Sequence, residues 1–397
     1  MKRLNNLYPK ITDIKEIMRI YEEEIKVNTK NKRKIEKFEE LELLNLTNIQ
    51  NILIKGQLCF DGYYVFLIKE PKYRIIMSQS IKDKVINHLV ARNIVLKSFE
   101  PSLIDANVAT RKDKGTAYGR EILQKYIEEI KKEKKEIYYL KCDISKYFYN
   151  IDHQVLKNIM RTKIKDPKAL FLLDEIISST DDPYVYRNIS KICENEKLRI
   201  RSLNISEKEK REKIRQIERI PKFSVKGKGI PIGNMTSQAF AIIYLNGFDH
   251  YVKEELHVRY YVRYMDDFIF LSTSKTELKE IWEKIEKKLL DEYKLVLNPK
   301  THIGTLKNGL DLLGYRFILD HNKLYLKLRT DVKRRFKKKI KNLYKAYKDG
   351  KIEYEKIINV EGSYYGHLLP GNTYYLYHKV IDPYKREEIT LGKKVKI

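Results

Sequence analysis

Cysteine is scarce in this chain: there are three among 397 residues, Cys59, Cys142 and Cys193, far apart and without any Cys-x-x-Cys spacing. So odd and scattered a set excludes a disulfide framework and a structural zinc site, which need paired or clustered ligands. No uninterrupted apolar stretch approaches the roughly 20 residues of a membrane helix. The opening Met1-Lys2-Arg3-Leu4-Asn5-Asn6 lacks the pattern of a secretory signal. A soluble, cytoplasmic protein with no membrane partner is therefore expected. Acidic charge is also in deficit, since 54 Asp and Glu face 81 Lys and Arg, a formal net charge of +27. A surface this basic attracts polyanions by releasing their counterions, which makes nucleic acid the expected partner. Ile, Asn and Tyr are plentiful too, as AT-rich coding gives, so the placement of the charge says more than its total.

The placement is uneven. From Lys323 to Lys348 the charged residues are almost all basic, and Val332, Phe336, Ile340, Leu343 and Tyr347 recur there at helical spacing. The spacing predicts a helix whose other face, with Lys337, Lys338 and Lys341, tracks a phosphate backbone. Against this background a few acids stand inside apolar runs. Tyr264-Met265-Asp266-Asp267 interrupts residues 259–271, which otherwise read as two strands, so Asp266 and Asp267 fall at a hairpin tip. An Asp-Asp turn by itself is as readily a solvated turn. A third acid changes the balance: Asp143 ends another strand-like run, residues 137–144. Brought beside the hairpin tip, Asp143 and Asp266 can bridge two hard cations, with substrate phosphates and water completing the shell. Two-metal phosphoryl transfer needs that arrangement, with one cation acidifying a primer 3′-hydroxyl and both stabilising charge at the α-phosphate.

In order along the chain, these segments resemble the motifs of reverse transcriptases, over roughly residues 60–380. Asp143 to Phe148 resembles the family's first catalytic motif and Tyr264 to Asp267 its YxDD box. Gly229 to Gln238 resembles the glycine-and-serine segment beneath the nascent base pair. Leu297 to Thr301 resembles the lysine-bearing motif, and Leu312 to Phe317 the primer grip. The resemblance implies a mixed α/β (α+β) right-hand polymerase with fingers, palm and thumb and an antiparallel palm sheet packed with helices. It implies Mg²⁺ as cofactor, two ions with Mn²⁺ able to substitute. It makes Asp143, Asp266 and, with less of a ligand's role, Asp267 the metal-site acids, joined by the backbone carbonyl of Ile144. Phe148 is then the steric gate against a 2′-hydroxyl, Gly233 and Gln238 lie beneath the nucleotide, and Lys300 faces departing pyrophosphate as acid or electrostatic partner. Gly314 and Tyr315 would contact nucleic acid.

The chain has room for about two to three compact units. Residues 1–55 read as a helical extension with apolar stripes at Ile14, Ile17, Met18, Ile20 and Tyr21 and at Ile35, Phe38, Leu41 and Leu43, which packs on the fingers or binds template RNA, or equally is a solvated helical pair. Residues 56–135 read as fingers, beginning with a strand hairpin that turns at Asp61-Gly62. There Lys72 and Arg74 sit on one strand face as donors to a triphosphate. A helix is expected over residues 81–99. The basic glycine turn Arg111-Lys112-Asp113-Lys114-Gly115-Thr116 then opens a further helix, combining backbone N–H groups with cations that suit phosphate, so Arg111 and Lys114 are candidate ligands of nucleotide or template. Residues 136–317 read as palm, with a charged insertion at about 188–222 that is a surface helix pair or a flexible insertion and to which no chemistry is assigned. Residues 318–397 read as a helical thumb and tail.

Ile232-Gly233 and Ser237-Gln238 replace the Gln-Gly and Ser-Pro of many group II intron and retron enzymes. With residues 363–377, this departure resembles bacterial lineages of diversity-generating retroelements and phage defence. No ribonuclease H, integrase, protease or HNH-type segment is recognisable. The expected partners are template RNA, DNA primer and product, dNTPs, a noncoding RNA, and an accessory protein or second copy. Two alternatives stand beside this reading: a template-independent or protein-primed DNA polymerase of the same fold, and a non-catalytic RNA-binding protein, against which the intact acids count.

Overall fold

A computed structural model describes residues 3–70 and 72–390, without the side chains of residues 387–390. Its centre is a four-stranded antiparallel sheet in the order β4-β5-β3-β6, where β3 is Tyr138–Asp143, β4 Tyr261–Tyr264, β5 Asp267–Ser272 and β6 His302–Thr305. Strand side chains alternate between faces. Leu140 and Cys142 of β3 and Phe268 and Phe270 of β5 enter the larger core, with Leu278, Ile281, Ile285 and Leu289 of the helix Lys275–Tyr293. Tyr139, Ile269 and Leu271 enter a second core with Leu123, Ile127 and Ile130 of the helix Thr116–Ile130. Burial on both faces is why β5 reads as a continuous apolar run after Asp267.

The second core continues into a smaller sheet, β7 (Leu310–Leu312), β8 (Tyr315–Asp320) and β9 (Lys323–Leu328), and three helices, Thr330–Lys348, Tyr354–Leu368 and Tyr374–Thr390. The expected palm–thumb boundary at residue 317 thus falls inside β8. In the basic helix Phe336, Ile340, Leu343 and Tyr344 are buried, so the apolar stripe ends one residue after Leu343 and Tyr347 stands at its margin.

The amino-terminal helices are part of the larger core: Ile17, Ile20, Tyr21, Ile35, Leu46, Ile49 and Leu53 pack with Val85, Ile86 and Leu89 of the helix Ile81–Val90. His88 of that helix meets Glu24 at 2.8 Å, and Asp166 accepts the backbone N–H groups of Leu7 and Tyr8 at 2.8 and 2.9 Å. The second expected stripe stops short, because Leu41 and Leu43 are 60% and 68% exposed. A new helix, Glu42–Lys55, starts between them and turns Leu46, Ile49 and Leu53 inward instead.

One correction concerns the segment expected to form the fingers. The hairpin consists of β1 (Tyr64–Ile68) and β2 (Arg74–Ser78), so it turns between Ile68 and Arg74. Asp61 and Gly62 precede it, in a loop where the backbone N–H of Tyr63 is held by the Tyr184 hydroxyl at 2.9 Å. The charged segment around 188–222, open in the sequence as a surface helix pair or a flexible insertion, is a helix pair. Helices Pro183–Arg201 and Glu207–Glu218 place Val185, Ile189, Cys193, Ile200 and Ile217 against Ile75 and Met77 of β2, a core of its own. Lys69 reinforces it with an ion pair to Glu196 at 2.7 Å. Ile189→Ala, which truncates a fully buried side chain, should cost about 2–5 kcal/mol. Amide exchange in β1 and β2 should quicken together with that of the helix. Loss of protection confined to the helix would show that the two share no core.

Candidate active site

β3 and β5 are paired so that Asp143 lies directly opposite Asp267. Residues opposite one another project to the same face, where like charges repel. Tyr264 pairs with Asp267 across the hairpin, leaving Met265 and Asp266 as a two-residue turn. Met265 has φ +57°, a left-handed conformation that two-residue hairpins ask for and side chains other than glycine's resist. Asp266 accepts the Ile144 N–H on its own backbone carbonyl at 3.2 Å, which locks the hairpin tip to the end of β3. The three carboxylates are therefore gathered by strand register and one strained turn.

Their charges are costly. Burial, the Asp143 charge and the Asp267 charge push Asp266 up to about 6. Burial, again with the Asp143 charge, pushes Asp267 up to about 6, partly offset by Lys141. Burial raises Asp143, opposed by Lys141, an amide hydrogen bond from Asn298 and the charges of Lys300 and Lys72. Lys141 Nζ stands 3.7 Å from Asp267 Oδ2, so Asp267 is the acid with a resident counterion. Its Oδ1 is buried and has no hydrogen-bond partner. Mutually repelling carboxylates with an orphaned oxygen fit a divalent cation. No group of three or more His, Cys, Asp or Glu side chains among the described residues is placed to hold a metal ion by itself. An open pair of carboxylates is what Mg²⁺ uses when phosphates and water supply the remaining ligands.

A family model described as reverse transcriptase (RNA-dependent DNA polymerase) matches residues 68–317, more than half of the chain. The chain belongs to the reverse transcriptase family. Among curated proteins no sequence matches it. Among solved structures it is similar to telomerase from Candida albicans in complex with a TWJ fragment of telomeric RNA, at 16% identity and a TM-score of 0.42, over 73% of this chain and 50% of that one. It is also similar to apo telomerase from Candida tropicalis. The form truncated from its C-terminal domain gives 16% identity and a TM-score of 0.40, over 72% of this chain and 60% of that one. The other gives 15% identity and a TM-score of 0.39, over 67% and 48%. The chain thus spans about half to three-fifths of the length of these structures.

Within this reverse transcriptase fold the remaining candidate residues divide. Lys72 and Arg74 are exposed, form no ion pair among the described residues, and act electrostatically on Asp143 and Asp266 respectively. Lys300 is exposed and bears on Asp143 in the same way. Ile144 is buried beside the acids. Phe148 is half-buried against the larger core, its ring edge-on to Tyr147 at 5.8 Å, and Gln238 is half-buried in the helix Met235–Tyr244. Gly233, at φ +130°, comes so close to β2 that a Cβ would lie 3.0 Å from the Met77 carbonyl oxygen. The Met77 N–H in turn bonds the Ile232 carbonyl at 2.9 Å. The room this glycine leaves is taken by β2.

Three candidates have structural partners. Arg111, its side chain 7% exposed, donates to Glu100 and to the carbonyls of Ile104 and Asn107 at 2.7 to 2.9 Å, bracing its own loop. Lys114 is paired with Asp105 and lies over the Tyr118 ring. Tyr315 is corrected: its ring is 1% exposed and its hydroxyl donates to the His367 carbonyl. That leaves the left-handed backbone turn at Leu313 and Gly314 as the feature of the segment. Lys337, Lys338 and Lys341 are exposed and form no ion pair among the described residues. Two site residues escaped the sequence reading. Asn298 grips Asp143, with its amide on Oδ2 at 3.0 Å and its backbone N–H on the carbonyl at 2.7 Å. Lys141 stands two residues before Asp143, and strand alternation alone could have placed it on the acids' face.

The raised carboxylates set a sign for stability. From about pH 4, where an unperturbed Asp titrates, up to about 6, the folded metal-free protein holds protons that the unfolded chain has released. Stability from these groups should fall as pH rises through that window and level off above it. Asp266→Asn should melt progressively higher than the wild type across the same window when both are held in chelator. A variant that melts lower at neutral pH would mean that the acids do not repel one another.

Proposed function

We propose that this chain is an RNA-directed DNA polymerase, copying a cognate structured RNA into cDNA from dNTPs in a bacterial host, in antiphage defence or a diversity-generating element. The observation that carries the reading is the set of three acids gathered by β3 and the β4–β5 hairpin and faced by the unpaired cations Lys72 and Arg74. Opposite charges across an open site suit a triphosphate whose α-phosphate lies at the acids and whose remaining phosphates lie at the fingers. Asp143 and Asp266 would hold the ions and Asp267 would shape the site beside Lys141. Bound Mg²⁺ supplies acidification of the primer hydroxyl and neutralisation of the α-phosphate. Asn298 orients Asp143, Lys300 stands where pyrophosphate would depart, and Phe148 closes the sugar side. The departures at Ile232-Gly233 and Ser237-Gln238 support the lineage. A cytoplasmic location belongs to the same reading; among the described residues no helix is long and apolar enough to cross a membrane. Purified protein given a primed RNA homopolymer, the matching dNTP and Mg²⁺ should extend the primer, and Asp266→Asn should lower the rate by several orders of magnitude. Equal rates in the two proteins would exclude this site.

The basic helix Thr330–Lys348 is the grip on duplex backbone in this reading, because its buried stripe leaves Lys337, Lys338 and Lys341 outward and unpaired. Neutralising all three should weaken binding of different sequences alike and flatten the salt dependence by up to about 0.9 per lost contact on B-form DNA. An unchanged salt slope would mean that this face carries only solvent.

A further inference from the structure

Behind the catalytic hairpin lies a buried charge pair that the chemistry above does not use. Arg263 of β4 and Asp249 of the helix Asn246–His250 both have side chains 0% exposed. Arg263 grips both carboxylate oxygens, Nε to Oδ1 at 2.7 Å and Nη2 to Oδ2 at 2.6 Å. Asp249 is further fixed by the Tyr261 hydroxyl at 2.7 Å and the Asn107 amide at 3.3 Å. The guanidinium has two more engagements: Nη2 donates to the Ile242 carbonyl at 2.9 Å, and Nη1 to the Met265 carbonyl at 2.9 Å.

That last bond reaches the left-handed turn residue next to Asp266. A non-glycine residue at φ +57° persists only where its surroundings over-determine it. A buried ion pair is also poor evidence of a stability role, since well-packed apolar residues usually serve a core as well. What apolar residues cannot do is donate a hydrogen bond to the inner carbonyl of a turn. We infer that Arg263, oriented by Asp249, is a positioning residue that clamps the Met265 carbonyl and so holds the turn that aims Asp266 at the reaction. The inference rests on Asp266 being a working carboxylate of the proposed polymerase.

The test compares wild type, Arg263→Lys, Arg263→Lys with Met265→Gly, and the apolar double variant Arg263→Met with Asp249→Leu, in single-nucleotide extension and thermal melting. Lysine keeps a cation beside Asp249 but lacks the planar fork needed to reach Met265 as well. Its kcat should fall on the order of tenfold to a hundredfold, as for a small misplacement of a catalytic group, with little change in the KM for dNTP. Glycine adopts the left-handed turn without a clamp, so adding Met265→Gly should restore most of kcat without raising Tm, which repair of a core would not do. A folded Arg263→Lys with wild-type kcat, or a loss that glycine does not restore, overturns the inference. Should Arg263→Lys fail to fold, the apolar double variant decides: folded and slow supports the clamp, while folded with wild-type kcat overturns it. If neither folds, the pair's role is the fold and the inference falls. A wild type that extends no primer counts against the polymerase reading itself, and the inference falls with it.

Discussion

Register between β3 and β5 is the constraint on which the site depends. Asp143 and Asp267 face each other only because Leu140 and Cys142 alternate into one core and Tyr139 into the other, paired with Phe270, Phe268 and Leu271. A slip of β3 by one residue would exchange its two sets and turn Asp143 to the face opposite Asp267. Since both faces are packed, each apolar residue opposes such a slip. The register that brings two like charges face to face is thus held by apolar packing.

The electrostatic cost is contained locally. Lys141 sits on the acids' side of β3 and partly neutralises Asp267, while Asn298 binds Asp143 without adding charge. What is left over is directed outward, toward Lys72 and Arg74 on the fingers hairpin. That hairpin could not hold its cations in place alone, since an isolated two-stranded ribbon is marginal in water. The helices Pro183–Arg201 and Glu207–Glu218 give it a core, and the close contact of Gly233 with Met77 fastens it to the segment before the helix Met235–Tyr244.

How much of this could be read in the sequence follows from how local each signal is. The acids, the hairpin and the basic helix were legible because each is a short pattern with its own period. For the charged segment at about 188–222 a helix pair was one of two open readings, and its burial was hidden because its few apolar residues, such as Ile189 and Cys193, reveal a stripe only once β2 is known to lie against them. The turn expected at Asp61-Gly62 was drawn by composition. The loop there is fixed instead by Tyr184, more than a hundred residues away in sequence. Tyr315 lies in the segment that resembles a primer grip, yet the helices of the carboxy-terminal unit close over it, and only tertiary packing could show that.

The two kinds of positive charge differ in their neighbours, and that separates their roles. Arg263, Arg111 and Lys114 have carboxylate partners in Asp249, Glu100 and Asp105, so their donors are largely engaged within the fold. Lys72, Arg74 and Lys300 near the acids, and Lys337, Lys338 and Lys341 on the basic helix, have none among the described residues. An unpaired cation at a protein surface gains most from an anion that arrives from outside, and phosphate offers several oxygens to each. In the proposed reading, cations near the acids would meet a triphosphate, where geometry matters. Those on the helix would meet a backbone, where contacts are sequence-independent and only their number and spacing count.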